Sequence, residues 1–190
     1  STGDKTFYAR WEKEYELKIF YQNNELIESY NVITNEIIEL PKVDNYGPKD
    51  KTEYYGLWTI KKGTEILDTF KLSEETDWTF EYNFDLILSF EWKGNIYAIN
   101  YLHTSFMGQT AEILVDDIIG SHAPTTYEYG VGLNLSNITA YFQADSPYSP
   151  HMRFMGWYAD NEFKTRVTKI KDTETGKVSL YAKWRYDQDN

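Results

Sequence analysis

The sequence has no cysteine, which excludes thiol nucleophiles, disulfide bonds and cysteine-ligated metal sites. It also lacks any apolar run near the roughly 20 residues that a transmembrane helix needs. Residues 1–4 (STGD) do not have the basic and then apolar pattern of a signal peptide. We therefore expect any targeting segment or wall anchor to lie outside this chain.

Basic residues are few: 19 lysines and arginines stand against 30 aspartates and glutamates, and the formal net charge is −11. Such a surface repels the phosphates of nucleic acids and of anionic lipids, so we expect neither nucleic-acid binding nor membrane insertion by this segment. The charge also keeps copies of the chain apart, which favours a monomer. A cysteine-free acidic chain is compatible with export from a bacterium.

Histidine is rare, with only His103, His122 and His151. The first two flank a stretch from which a Ser–His–Asp combination can be assembled on paper. The other residues of that combination are Ser105, Asp116, Asp117 and Ser121. No G-x-S-x-G nucleophile elbow and no phosphate-binding glycine motif accompany them, so we expect no catalytic residues and no cofactor.

Metal-binding patterns are also missing. No H-x-x-x-H pair is present, so no histidine site is expected. Two acidic stretches, residues 116–117 and 160–162, offer oxygen ligands of the kind that calcium prefers, but no EF-hand loop surrounds either. We interpret both as solvated loop acids and expect no metal.

Aromatic residues, by contrast, are abundant at 17% of the chain, with 6 Trp, 17 Tyr and 10 Phe. Each ring can bury roughly 150–250 Å², which suits small domains that have little room for a core. A chain of 190 residues fits either one large domain or two small ones.

Three stretches resemble one another: residues 7–11 (FYARW), 88–92 (LSFEW) and 180–184 (LYAKW). Apolar residues alternate with others and each run ends in tryptophan, which predicts a strand with one buried face. A further strand is predicted four residues past the tryptophan in two cases, at 15–21 (YELKIFY) and from residue 96 (IYAINY). The tryptophan therefore marks the end of one module, and the next module follows directly.

This pattern predicts four segments. Residues 1–11 are the closing strand of a preceding module, and residues 15–92 are a first, degenerate module. Residues 96–184 are a second module with an insertion at 104–122, and residues 185–190 are a polar, frayed tail.

Further marks lie inside the modules, at residues 54–58 (YYGLW) and 153–160 (RFMGWYAD). With these marks, the second module resembles the internalin B-type B-repeat, also called the Listeria–Bacteroides repeat. The residues that carry the resemblance are Tyr127, Tyr129, Gly130, Gly132, Leu133, Phe154, Gly156, Trp157, Tyr158, Asp160, Gly176, Leu180, Tyr181, Ala182, Lys183 and Trp184. The first module matches at Trp58 and Trp92, but Gly56 lies one place early and LSFEW replaces LYAKW.

The resemblance implies an α+β, β-rich fold made of two tandem β-grasp-like modules. It also implies a non-catalytic repeat of a bacterial cell-surface or secreted protein, acting as a stalk or spacer or as an adhesion-type protein-binding module. The family has no known catalytic residues and no required cofactor. The expected partners are a host or cell-wall protein or a glycan, outside the cell.

Most of the marked residues have a structural interpretation. We predict that Trp157 and Trp184 are core anchors; the alternative is an exposed platform for sugar rings. Gly156 is expected to let the backbone turn or pack under a ring. Gly130 and Gly132 predict a bulge or a bend, and residues 172–176 a turn.

The insertion at 104–122 is the least family-like part of the chain. Apolar residues recur there at helical spacing: Met107, Ala111, Leu114, Val115 and Ile118. Together with Gly120 as a stop signal, they predict a short helix over one face of a sheet. A strand at 113–115 is the competing interpretation, because that run is β-branched.

Three functions remain open on the sequence alone. The first is a spacer or stalk. The second is a protein-binding module that uses a sheet edge or an aromatic patch. The third is a carbohydrate-binding module that uses exposed aromatic rings.

Overall fold

The computed structural model of the chain describes residues 3–22, 24–72, 76–104, 110–112, 123–142 and 149–187. It contains 52% strand and 3% helix, so the predicted β-rich fold is confirmed. The chain divides into two compact units, residues 1–93 and 94–190. Within the described ranges, no helix has the length and apolar character to span a membrane.

The described part of the first unit has seven strands, and five of them form one sheet. Its strands are β1 (Tyr15–Tyr21), β2 (Glu25–Val32), β3 (Glu36–Glu39), β4 (Tyr54–Lys62), β5 (Glu65–Lys71), β6 (Asp77–Phe80) and β7 (Leu86–Gly94). The order in the sheet is β2-β1-β7-β4-β5, while β3 and β6 form a separate antiparallel pair. Strands β1 and β7 run parallel, with Leu17 opposite Leu86 and Tyr21 opposite Phe90.

The core of the first unit follows from the alternation in these strands. Leu17 and Ile19 of β1 are buried, as are Leu88 and Phe90 of β7. Each pair is two residues apart, so its side chains point to the same face of the sheet. Trp58 of β4 lies on this core and is fully buried.

The second unit has the same central arrangement. Its strands are β8 (Ile96–Thr104), β9 (Thr110–Glu112), β10 (Thr126–Glu128), β11 (Leu133–Asn134), β12 (Met152–Tyr158), β13 (Arg166–Val167), β14 (Lys169–Ile170) and β15 (Val178–Tyr186). The main order is β10-β8-β15-β12-β13, with β9 also paired to β8, and β11 and β14 form a separate pair. Strands β8 and β15 run parallel, with Leu180 opposite Tyr101.

The core of the second unit centres on Trp157. This side chain lies opposite Ala182 in the antiparallel register of β12 and β15, and both residues are buried. Directly opposite residues of two strands project to the same face, so the small Ala182 leaves room for the indole ring. Tyr101 and Leu180 complete the same cluster.

The helix predicted in the insertion is wrong where the structure describes it. Residues 110–112 form β9, which pairs with β8 so that Ala111 lies opposite His103. Pairing with an available strand edge, a non-local contact, outweighs the local helical spacing there. The other residues of the predicted helix (Met107, Leu114, Val115, Ile118 and Gly120) and the alternative strand at 113–115 lie outside the described residues.

The frayed tail is also wrong for its first residues. Strand β15 continues to Tyr186, which pairs with Met152 of β12. Beyond the strand, the guanidinium of Arg185 donates to both carboxylate oxygens of Asp187, at 2.7 and 3.0 Å. Strand pairing and this bidentate ion pair hold residues 185–187 in place, and residues 188–190 lie outside the described residues.

Candidate functional site

Strands β7 and β15, which we call the closing strands, occupy the same place in their units. Each lies between two neighbours: the first strand of its unit, with which it runs parallel, and a strand that carries a buried tryptophan. The second neighbour is β4 with Trp58 in the first unit and β12 with Trp157 in the second. A closing strand is therefore hydrogen-bonded along both of its edges.

The closing strands bury alternate side chains. In β15, Leu180 and Ala182 are 1% and 0% exposed, while the following Trp184 is only half-buried. In β7, Leu88 and Phe90 are both fully buried, and the following Trp92 is half-buried. The two strands thus bury the same alternate positions. The central buried residue differs in volume, because it is Phe90 in β7 and Ala182 in β15.

Trp92 lies under the loop that precedes β4. The backbone of Gly47 has a φ of +87°, and a Cβ there would come within 2.0 Å of the Cδ1 atom of Trp92. Lys51 places its ammonium 5.1 Å from the centre of the same ring, within cation–π range. Only a glycine at position 47 allows both the left-handed turn and this close approach.

Trp184 plays a comparable packing role in the second unit. Its ring meets Phe142 edge-on at 5.3 Å and Phe154 at 5.7 Å. The Nε1 atoms of Trp92 and Trp184 are both buried and have no hydrogen-bond partner among the described residues. Ring packing, together with the cation–π contact from Lys51 to Trp92, therefore holds these two tryptophans without a hydrogen bond from their Nε1 atoms to any described residue.

Trp157 is held by a polar contact as well as by packing. Its Nε1 donates a hydrogen bond to the carbonyl of Ile138 at 2.7 Å. The ring lies 5.1 Å from both Tyr101 and Phe154. Trp58 packs 5.0 Å from Phe90, but its Nε1 has no hydrogen-bond partner in the described part of the chain.

Several tyrosines tie loops to the second sheet. The hydroxyl of Tyr101 donates to the carbonyl of Pro124 at 2.6 Å, and burial raises the pKa of Tyr101 to about 12. The hydroxyl of Tyr127 donates to the carbonyl of Gly176. Tyr181 is half-buried and lies opposite Tyr158 of β12.

The backbone near Tyr129 approaches Gly94 very closely. The amide of Tyr129 donates to the carbonyl of Asn95 at 3.0 Å. A Cβ on Gly94 would come within 1.8 Å of the carbonyl oxygen of Tyr129, so a larger residue there would force backbone atoms apart. This contact fixes the loop after β10 against the start of β8.

The signature glycines occupy backbone positions that other residues rarely adopt. Gly130 and Gly132 have φ angles of +83° and +69° in the turn after β10, so the predicted bend is confirmed. Gly156 has a φ of +123° at a bulge in β12. A Cβ there would come within 3.1 Å of the Nε atom of Arg166, so Gly156 faces a guanidinium group and not a ring.

Asp160 organises its own loop. Its Oδ1 accepts hydrogen bonds from the amides of Glu162 and Lys164, at 3.1 and 3.0 Å, and its Oδ2 accepts one from Thr165 at 2.9 Å. These backbone donors stabilise the carboxylate and lower the pKa of Asp160. Among the described residues, no group of three or more His, Asp or Glu side chains is placed to hold a metal ion.

The structure describes only one residue of the Ser–His–Asp combination, His103. His103 lies on β8, and burial lowers the pKa of its imidazole. His151, which is not part of that combination, lies in a 3-10 turn, 5.6 Å from the ring of Tyr186. The remaining members, Ser105, Asp116, Asp117, Ser121 and His122, lie outside the described residues.

Residues 3–14 form no strand in this structure. Phe7, Tyr8 and Trp11 are 87%, 91% and 92% exposed, although the same pattern is a buried strand in β7 and β15. Trp58 and Trp157 are buried, and the other three tryptophans of the chain are half-buried. Trp11 is therefore the one exposed indole ring, and its neighbourhood is rich in exposed aromatic surface.

Sequence reasoning missed a groove in the first unit. Strands β2 and β3 line it, together with residues 40–42, and its volume is about 530 Å³. Glu28, Glu36 and Glu39 give it an acidic character. The sequence shows these glutamates only as residues of two separate short strands. The groove exists because the folded chain brings β2 and β3 together.

No protein-family model matches the chain, and no curated protein sequence matches it at a significant level.

Proposed function

We propose that the chain consists of two consecutive β-grasp-like modules of the Listeria–Bacteroides repeat type, and that it is a non-catalytic spacer in a bacterial cell-surface or secreted protein. The observation that carries this proposal is the common place of the two closing strands. Both units put the strand that carries the tryptophan-ended pattern next to their first strand, in parallel, and next to a strand with a buried tryptophan. Repetition of one structural unit along a chain is typical of extended spacers.

The connection between units supports the same proposal. β1 begins at Tyr15 and β8 begins at Ile96, each four residues past a tryptophan of the repeated pattern. Only a three-residue link thus separates the end of one pattern from the first strand of the next. Such a short link favours units in direct series, without long linkers between them.

Burial and charge also fit a spacer. Each unit has its own cluster of buried residues, so each can be stabilised by its own core. The net charge of −11 favours solubility and keeps copies of the chain apart. A spacer needs both properties, because it must keep its length and remain soluble.

The location is tested with an epitope tag in the parent protein. Gly63 is in the hairpin turn between β4 and β5, with no atom within 4 Å of where its Cβ would be, so a short insertion after it should leave the fold intact. We expect antibody to bind the tag on intact bacteria or in the medium. Binding only after lysis would contradict the proposal.

The spacer role is tested by replacement. Residues 15–184 of the parent protein are exchanged for two unrelated domains of similar length, and the adhesion of the bacteria is measured. A spacer can be replaced without loss of adhesion, whereas a binding module cannot. A shortened parent protein that lacks these residues is the matched control, because it tests whether length itself matters.

A second candidate, protein binding through strand addition, is favoured by one observation. Strand β5 is an edge of the first sheet, and six of its seven residues are exposed, among them Ile66 and Leu67. An apolar edge strand can pair with a strand of a partner. Capture of a single host or wall protein that I66K/L67K abolishes would favour this candidate over the spacer.

Carbohydrate binding is the weaker alternative. The buried rings of Trp58 and Trp157 are not available to sugars, and the most exposed aromatic rings that could form a stacking platform are those of Phe7, Tyr8 and Trp11. Binding to a glycan array that W11A abolishes would favour this alternative.

A further inference from the structure

We propose that residues 7–11 are a closing strand that binds in the closing-strand position of a module of the second type, and not in that of the first type. This inference rests on the proposed function, because it needs a further module of the same fold as the partner. The position in question is the slot between a first strand such as β8 and a tryptophan-bearing strand such as β12.

The sequence of the segment matches the occupant of that slot. Residues 7–11 read FYARW and residues 180–184 read LYAKW, so three of the five positions are identical. The other two differ conservatively: Phe7 stands where β15 has Leu180, and Arg10 stands where it has Lys183. Residues 88–92 of the first unit read LSFEW and share only the final tryptophan with the segment.

The central position decides between the two kinds of slot. In the second unit it is Ala182, which is 0% exposed and lies opposite Trp157. In the first unit the corresponding residue is Phe90, which is also fully buried and packs 5.0 Å from Trp58. Ala9 would therefore fit beside a tryptophan placed like Trp157, but would leave a cavity in a slot that is built for phenylalanine.

The exposure of the segment indicates that a partner covers it. Phe7, Tyr8 and Trp11 are each at least 87% exposed, whereas their counterparts in β15 are buried or half-buried. Three exposed aromatic side chains within five residues form an apolar patch that a soluble domain normally covers. Residues 3–14 form no strand, so their backbone can pair along both edges, as the slot between β8 and β12 requires.

The first experiment asks whether the segment's sequence fits the slot in the full chain. The double variant L180F/K183R gives β15 the sequence of residues 7–11 at those five positions. We expect the second unit to stay folded, with a melting temperature lowered by at most about 8 °C. The control A182F brings in the phenylalanine of the first unit and should lower the melting temperature at least twice as much, because the ring collides with Trp157.

The second experiment measures capture in trans. The full-length A182F variant has a closing strand that no longer fits, so it is titrated with a fluorescent peptide of residues 4–14. We expect binding within about tenfold of the affinity for a peptide of residues 177–187. A 4–14 peptide that carries A9F should bind at least about tenfold more weakly.

Either experiment can overturn the inference. It is wrong if L180F/K183R unfolds the second unit as fully as A182F does. It is equally wrong if A182F captures the 177–187 peptide but not the 4–14 peptide, or if A9F makes no difference. If A182F captures neither peptide, the inference is judged by the first experiment alone, in which L180F/K183R must lower the melting temperature of the second unit less than A182F does. The surface location and the spacer role enter neither readout, so they are judged by the epitope tag and the replacement alone.

Discussion

The two buried tryptophans allow a matched test of how each unit is held together. Trp157 is 2% exposed and Trp58 is fully buried, and each packs against other aromatic rings of its own unit. They differ in one respect: Trp157 donates a hydrogen bond to Ile138, whereas Trp58 has no partner for its Nε1 within the described residues. Phenylalanine in place of each keeps a ring and removes the indole nitrogen.

The expected magnitudes follow from that difference. W157F leaves the carbonyl of Ile138 without its donor in a partly buried place, which costs about 1–3 kcal/mol in addition to the lost volume. W58F loses similar volume but no hydrogen bond. We therefore expect W157F to destabilise its unit by about 1–3 kcal/mol more than W58F does. Complete truncation is larger, and W157A or W58A should each cost about 3–5 kcal/mol.

Differential scanning calorimetry and urea unfolding provide the assay. One kcal/mol corresponds to about 4–8 °C in the melting temperature of a domain of this size. W157A should therefore lower the melting temperature of the second unit by more than about 12 °C and leave that of the first unchanged. W58A should do the reverse and is the matched control.

Two results would refute this reasoning. Equal costs for W157F and W58F would show that the hydrogen bond to Ile138 contributes nothing to stability. A single transition that both alanine variants lower together would show that the two cores do not unfold as separate units. The second result would also remove the physical basis of the spacer proposal.

Three further predictions concern the second unit. The raised pKa of Tyr101, about 12 against its usual 10.0, means that the unfolded state loses this proton first. Stability should thus fall as the pH rises from 10 to 12, by up to about 3 kcal/mol, and urea unfolding of Y101F should show a smaller fall. The lowered pKa of Asp160 means that its contribution is present above about pH 4 and is lost as the pH falls below that. D160N should therefore lower the melting temperature at pH 7, and the difference from the parent chain should shrink at pH 3. G94A should lower the free energy of unfolding of the unit, measured by urea unfolding, by more than about 2 kcal/mol, because its Cβ would meet the carbonyl of Tyr129. G3A, with no atom within 4 Å of its Cβ, is the neutral control.

The strands with a regular local alternation could be predicted from the sequence, whereas most of the shorter strands could not. The strand predicted at residues 15–21 is β1, and the tryptophan-ended patterns at 88–92 and 180–184 lie within β7 and β15. In each of these strands a buried residue alternates with a more exposed one. A period of two residues is a property of the strand itself and needs no knowledge of its partners.

The insertion shows where local reasoning fails. Its apolar residues fit a helical spacing, yet residues 110–112 pair with β8. A strand edge left open beyond β10 offers hydrogen bonds that the local pattern cannot reveal. Only the meeting of distant segments decides such a case.

The details of the marked residues could be predicted only in part. The bend at Gly130 and Gly132 follows from glycine in an aromatic run. The roles of Gly47, which fits under Trp92, and of Asp160, which caps its own loop, do not. Each of these depends on a contact whose distance the spacing of residues does not specify.

The sequence by itself determined where β1, β7, β8 and β15 lie, because their buried residues alternate with more exposed ones. The tertiary structure decided which strands are neighbours, such as the parallel pairing of Leu17 with Leu86 and of Tyr101 with Leu180. It also decided that Trp157 lies opposite Ala182. The reason is physical: side-chain alternation is written into each strand, whereas the backbone hydrogen bonds that join strands are the same for every residue.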